Sequence, residues 1–277
     1  MTGVAHRKVA IAVAPNGGRK TRADHPRLPV TAADLAETAA QCVEAGAAMI
    51  HLHVRDREGV HLLDADAYRA AISAVFAAVG DRLIVQITSE SIGRYGPAQQ
   101  MAVVLATNPE AVSLALRELA PEEKDERLFA DFMLRLKGLE VWPQIILYTP
   151  EEAQRLAAMQ KRGVIPFDQI AVLYVLGRYT LLRTAAPSDL LPFLGGPRFA
   201  HWSVCAFGRR EAACVTAGAL LGGNVRVGFE NNLALPGGER AGTNAELVGA
   251  VAGALADLGL AVETAEALRE EAIAMMR

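Results

Sequence analysis

Ile170-Ala171-Val172-Leu173-Tyr174-Val175-Leu176 is an unbroken run of apolar and aromatic residues. Successive side chains of a strand point to opposite faces, so a strand with one wet face alternates polar and apolar. A run without alternation belongs to a strand covered on both faces, the habit of parallel sheets packed under helices. Working outward from this strand, placed at 169–176, similar short runs fall at 8–14, 48–54, 82–88, 111–115, 144–148, 199–205 and 224–229. Longer Ala, Leu and Glu-rich segments lie between them, giving helices at 31–46, 65–79, 97–106, 123–138, 151–162, 187–194, 209–221 and 243–258. An open doubly wound sheet would show the same alternation. The count of eight β-α units in about 250 residues decides for an α/β fold of the TIM (β/α)8 barrel type.

Local signals agree with these boundaries. Thr31 with Asp34 resembles a helix start, and Pro150-Glu151-Glu152 sets proline and acids in the first turn of another helix. Gly222-Gly223 ends the helix before the last strand. No linker rich in Pro, Gly or Ser divides the chain, so one barrel domain over 1–277 is expected. The segment 263–277, with Ala267, Leu268, Ala272 and Met275, reads as an additional C-terminal helix whose apolar stripe meets either its own barrel or a second copy.

Composition narrows the function. The chain has 277 residues, 52% of them hydrophobic, enough to bury a large core. Its net charge of -3 is small and the charges are interspersed, which argues against a nucleic-acid stripe or a polybasic membrane patch. Arg7 and Lys8 precede an apolar run that stops at Pro15, too short for a membrane span or a signal segment. Cys42, Cys205 and Cys214 are odd in number and sit in apolar segments, as in a reducing compartment. A cytoplasmic protein is expected, and alanine-rich outer helices with the apolar tail suggest a homodimer or homotetramer.

His51 and His53 stand two apart in the run Ala48 to Val54, so both imidazoles project from one face of a strand. Burying two imidazoles side by side costs solvation unless their nitrogens find partners, and a divalent metal would supply one. Glu230 follows the eighth strand, in Val225-Arg226-Val227-Gly228-Phe229-Glu230-Asn231-Asn232. In a barrel the ends of strands two and eight open on the same rim, on either side of strand one. Two imidazoles and a carboxylate leave a coordination position open, as in catalytic Zn2+ sites; iron, manganese and nickel share these ligand types.

Several stretches in this order resemble the β-keto acid cleavage enzymes, including the 3-keto-5-aminohexanoate cleavage enzyme. They are Ala14-Pro15-Asn16-Gly17-Gly18, Ala23-Asp24-His25-Pro26, His51-Leu52-His53-Val54-Arg55-Asp56, Gln86-Ile87-Thr88-Ser89, Ser113-Leu114-Ala115-Leu116 and Arg226 to Asn232. The resemblance implies an oligomeric zinc-dependent barrel that exchanges a β-keto acid and acetyl-CoA for acetoacetate and a new acyl-CoA. It implies His51, His53 and Glu230 as metal ligands and Arg226 as the residue that polarises the reacting group. It further implies Thr88 at a position where some members carry a serine hydroxyl, and substrate contacts from Asn16, Arg19 and Ser113. Gly208-Arg209-Arg210 lies where barrels often bind phosphate, and is the candidate for the nucleotide end of acetyl-CoA.

Two positions depart from the family pattern. The family commonly has aspartate after the metal glutamate; here Asn231 follows Glu230. An amide cannot accept a proton at neutral pH, so a general-base role at Asn231 needs a substitute. Arg19 stands where the aminohexanoate-cleaving member has an acid, and a guanidinium there would favour carboxylates over ammonium groups. Three other readings share parts of this pattern. An amidohydrolase would need histidines at further strand ends, where His6, His25, His61 and His201 do not fall. A metal-dependent aldolase shares the enolate chemistry, and a ligand-binding barrel with weakened catalysis would account for Asn231.

Overall fold

The eight apolar runs pair side by side until the last meets the first. The computed structural model describes residues 7–180 and 184–276; His6 and Arg277 lie outside the described residues. Its strands are β1 (Ile11–Val13), β2 (Met49–Leu52), β3 (Ile84–Thr88), β4 (Ala111–Ala115), β5 (Trp142–Leu147), β6 (Ala171–Leu176), β7 (Trp202–Ala206) and β8 (Asn224–Val227). They form a closed barrel in chain order, every neighbouring pair parallel. Ala12 of β1 pairs with Met49 of β2 on one side and Arg226 of β8 on the other, so the two carriers of the candidate ligands flank one strand.

The helices begin where side chains can satisfy their free N–H groups. Thr31 caps Ala32–Glu44 in a reciprocal capping box with Asp34, Asp64 caps Ala65–Val79, and Thr149 precedes Pro150 at the start of Pro150–Lys161. The strand pleat sends Ile50, Leu52, Val85 and Ile87 outward under these helices. The alternate residues fill the barrel: Ala10, Met49, Ile84, Trp142 and Ala171 at the bottom, and Ile146, Val175, Cys205 and Phe207 at the top.

The C-terminal helix Ala265–Met276 packs on its own barrel. Its buried stripe of Ala265, Leu268, Ala272 and Met275 joins the bottom layer and closes that end, while Arg269 donates to the carbonyls of Asp81 and Leu83. Among the described residues no helix is long and apolar enough to cross a membrane. The structure adds elements the sequence pattern does not announce: a two-stranded hairpin, Val54–Arg55 with His61–Leu62, and a short helix, Leu116–Leu119. The eighth strand stops at Val227, two residues before the expected end, because Gly228 takes a φ of +140°. A Cβ there would lie 2.3 Å from the Ala14 carbonyl oxygen, so only glycine lets the chain turn this close to β1.

Candidate metal centre and active site

Each candidate ligand is held by backbone built around it. Asn16 lies under β2: its Nδ2 donates to the carbonyls of His53 (2.9 Å) and Pro29 (3.0 Å), and its Oδ1 accepts from the His53 N–H at 3.2 Å. Its amide is thus committed to the backbone that carries His53. Arg55 donates to the carbonyls of Gly17, Gly18 and Lys20, which fixes the loop after β1. Beyond β8, the Glu230 N–H donates to Ala14 O at 3.1 Å, and Lys20 Nζ donates to the Glu230 carbonyl at 2.6 Å. Glu211, fully buried, accepts from the Gly228 N–H at 3.1 Å and from Asn232 Nδ2 at 3.3 Å. Burial pushes its carboxyl up to about 8, against the lowering effect of those two donors and Lys20. The His25 ring packs against Phe229, centroids 4.1 Å apart.

These supports bring three electron-rich atoms together. His51 Nε2 and His53 Nε2 are 3.3 Å apart, and Glu230 Oε2 lies 3.6 Å from each. His51, His53 and Glu230 are the one group among the described residues that places three such side chains around a common point. The tautomers follow from the other ring nitrogens. His51 Nδ1 donates to Gln86 Oε1 at 2.8 Å, leaving Nε2 a bare lone pair. His61 Nε2 donates to the Glu90 carbonyl at 2.8 Å, so its Nδ1 accepts from His53 Nδ1 at 3.4 Å, and His53 Nε2 is bare as well. Burial holds all three rings neutral, His51 and His61 down to about 4 and His53 to about 3. Burial would raise the Glu230 carboxyl, but the Arg226 guanidinium beside it keeps it well below the usual range. Glu230 Oε2 has no hydrogen-bond partner in the protein. Two lone pairs and a carboxylate oxygen converging in a buried place fit a divalent cation.

Arg226 stands beside this triad. Its Nη2 lies 3.4 Å from Glu230 Oε1 and 3.5 Å from Cys205 Sγ, while its buried Nε and Nη1 have no protein acceptor. A narrow recess opens next to it, lined by Thr88, Glu90, Tyr148, Arg178 and Phe207 together with the triad. Thr88 Oγ1 accepts from the Glu90 N–H at 3.0 Å. Ser113 is buried in the barrel interior with a hydroxyl that has no protein partner, and it is not among the residues lining the recess. Arg19 is exposed on the loop after β1, outside the recess, although its charge acts on Glu90. Asn231 is buried with both amide atoms unpaired, its backbone bonded to Gly208 and Gly228. Arg209 donates to the Gly238 carbonyl.

Three residues of the site escaped sequence reasoning. His61 reaches His53 because the hairpin folds back. Glu90 and Arg178 each stand two residues beyond a strand end, and they pair at 3.3 Å. Burial, then the nearby Glu230 charge, push the Glu90 carboxyl up to about 7, against Arg178. The available signal was positional: a charged residue just past a barrel strand faces the rim.

The fold is a (β/α)8 barrel whose rim carries a His-His-Glu group that could hold a metal ion. The chain belongs to the β-keto acid cleavage enzyme family, which it matches over residues 8–272. It is 26% identical to a 3-keto-5-aminohexanoate cleavage enzyme of Acetoanaerobium sticklandii over 95% of this chain and 97% of that protein. It is 25% identical to a 3-oxoadipate:acetyl-CoA acetyltransferase of Cupriavidus necator, over 92% and 90% of the two chains. The apo structure of ObcA superposes with a TM-score of 0.70 at 19% identity, covering 89% of this chain and 65% of that one, a likeness of fold.

Proposed function

We propose that this enzyme uses a zinc ion on His51, His53 and Glu230 to exchange a β-keto acid and acetyl-CoA for acetoacetate and a new acyl-CoA. The observation that carries the reading is the convergence of two bare imidazole nitrogens and an unpaired carboxylate oxygen beside Arg226, whose two spare donors face no protein acceptor. The relatives' names add the substrate classes. In the exchange, a β-keto acid R–CO–CH2–COO⁻ gives up its acyl group to the coenzyme A sulfur, and its CH2–COO⁻ unit takes the acetyl group. One carbon-carbon bond breaks and one forms; one thioester is replaced by another.

Bound zinc would supply a Lewis acid for the ketone oxygen, stabilising the enolate charge that develops when the bond breaks. Arg226 places a fixed positive charge at the same position, and its rigid pairing with Glu230 keeps the guanidinium plane oriented. Thr88 offers a hydroxyl at the recess wall, while Ile146, Val175 and Phe207 exclude water from the reacting centre. Asn231 can hold a group by hydrogen bonds but cannot take its proton. Glu90, half-buried at the recess wall with a carboxyl raised to about 7, is the acid-base group on hand. Asn16 holds the His53 backbone, Arg19 and Ser113 contact the substrate, and acetyl-CoA enters over the rim. Buried free cysteines support a reducing cytoplasmic compartment, and exposed Phe76, Leu134 and Ile273 support a homo-oligomer.

A panel of β-keto acids incubated with acetyl-CoA, with mass detection of thioester products, tests the reading. Acetoacetate and a matching acyl-CoA formed in equal amounts are expected. Cleavage that proceeds without coenzyme A would favour an aldolase and overturn it.

A further inference from the structure

We propose that Gln86 and Gln144 are positioning residues: a chain of buried amide hydrogen bonds from His51 to Ser203 fixes the His51 tautomer that leaves Nε2 free for the metal. The inference rests on the reading of His51, His53 and Glu230 as ligands.

A neutral imidazole carries one proton, and the partner of one nitrogen decides which nitrogen carries it. Here His51 Nδ1 faces Gln86 Oε1. A glutamine can present either oxygen or nitrogen to a given neighbour, since turning the amide over exchanges them. Gln86 shows oxygen to His51 because its Nε2 donates to Gln144 Oε1 at 3.3 Å. Gln144 is oriented in turn, its Nε2 donating to Ser203 Oγ at 3.4 Å. The links run from β2 to β3, then across the barrel interior to β5 and β7, passing over β4 and β6.

This level is the lowest polar one on these strands. One pleat below His51, Gln86 and Gln144, the same strands carry Met49, Ile84 and Trp142, which belong to the apolar bottom layer. Two buried primary amides contribute nothing to packing that Leu or Met would not, and leaving one unmatched is costly. Their fit to His51 gives them a purpose. Without Gln144, the Gln86 amide is free to turn its Nε2 toward His51 Nδ1. The proton then moves to Nε2, the atom the metal needs, although no ligand has been touched.

The test is zinc titration of the metal-free protein against a chromophoric chelator, with histidine 15N shifts reporting the His51 tautomer. Gln86→Leu should weaken zinc binding by roughly 10–100-fold, and Gln144→Leu by at least about threefold, the size of effect expected when a ligand's hydrogen-bond partner is removed. Gln144→Glu keeps a carboxyl oxygen that accepts from Gln86 Nε2, so it should stay within about twofold of wild type. His51 should carry its proton on Nδ1 in wild type and Gln144→Glu, and shift toward Nε2 protonation in Gln144→Leu. Gln144→Met serves if the leucine variant does not fold. Wild-type affinity and an unchanged tautomer in Gln144→Leu would overturn the proposal, as would equal damage from Gln144→Leu and Gln144→Glu. Zinc bound equally well by wild type and His51→Ala would instead overturn the ligand set, and the tautomer shifts would still report on the amide chain by themselves.

Discussion

Gly17 lies against the side chain of Glu230 so closely that a Cβ on residue 17 would stand 2.6 Å from Glu230 Cγ. The loop after β1 therefore acts as a mould for the carboxylate, and its glycine is required twice over, because Gly17 also has a φ of +59°.

Gly17→Ala should lower zinc affinity at least about tenfold, since Glu230 must move, in addition to a backbone cost of ~1–2 kcal/mol in stability. Gly59→Ala is the control. Gly59 has a φ of +77° with nothing within 4 Å of its would-be Cβ, so that variant bears the backbone cost alone. Equal zinc affinity in the two variants would show that Gly17 does not shape the ligand.

Glu211 supplies a pH signature in stability. Its folded carboxyl titrates at about 8, raised by burial from the unfolded value near 4.3, so between those values the folded state holds a proton the unfolded state has lost. Stability from this group is then greatest at the acid end and falls as pH rises toward 8, at up to ~1.4 kcal/mol per pH unit. Glu211→Gln removes the titration. In urea unfolding, the stability of wild type relative to the variant should decline from pH 5.5 to 8; a constant difference would contradict the assignment.

The run 170–176 and its counterparts showed the barrel because a strand covered on both faces leaves no polar gap. The i, i+2 spacing of His51 and His53 needed only the strand pleat, and Glu230 needed only the closure of the barrel, which sets strands two and eight on one rim. His61 was not legible, since two residues of strand on each side of a turn carry no periodic signal. The Gln86 to Ser203 chain was equally hidden, because it joins strands that are not neighbours and depends on which way each amide faces. The end of β8 was misjudged by two residues at Gly228, where a contact with Ala14, more than two hundred positions away, overrides local pattern.

Substrate charge should follow Arg178 and Glu90, which line the recess as a pair. Arg178→Gln removes the cation that faces the substrate and should shift kcat/KM away from anionic and toward neutral or amine-bearing β-keto acids on the order of tenfold, as expected for loss of one charge a few ångströms from the substrate. Arg19→Glu, on the exposed loop, should shift it in the same direction by less. Competition between anionic, neutral and amine-bearing substrates measures both, and an unchanged preference in Arg178→Gln would remove the pair from substrate selection.

Asn231 occupies the place of an acid, buried and with both amide atoms free of protein partners. General base catalysis is typically worth 10²- to 10⁴-fold, so Asn231→Asp should change kcat by at least about tenfold and add a limb to the pH profile. Asn231→Ala separates hydrogen bonding from proton transfer. The same rate and pH profile in all three proteins would place residue 231 outside the chemistry.

The most direct measurement is metal content and acyl-CoA formation followed together in wild type, His51→Ala and Glu230→Gln. Wild type should hold about one zinc per chain, lose activity on chelation and recover it on zinc addition, while both variants lose metal and activity in parallel. Full metal occupancy in His51→Ala and Glu230→Gln would contradict the account.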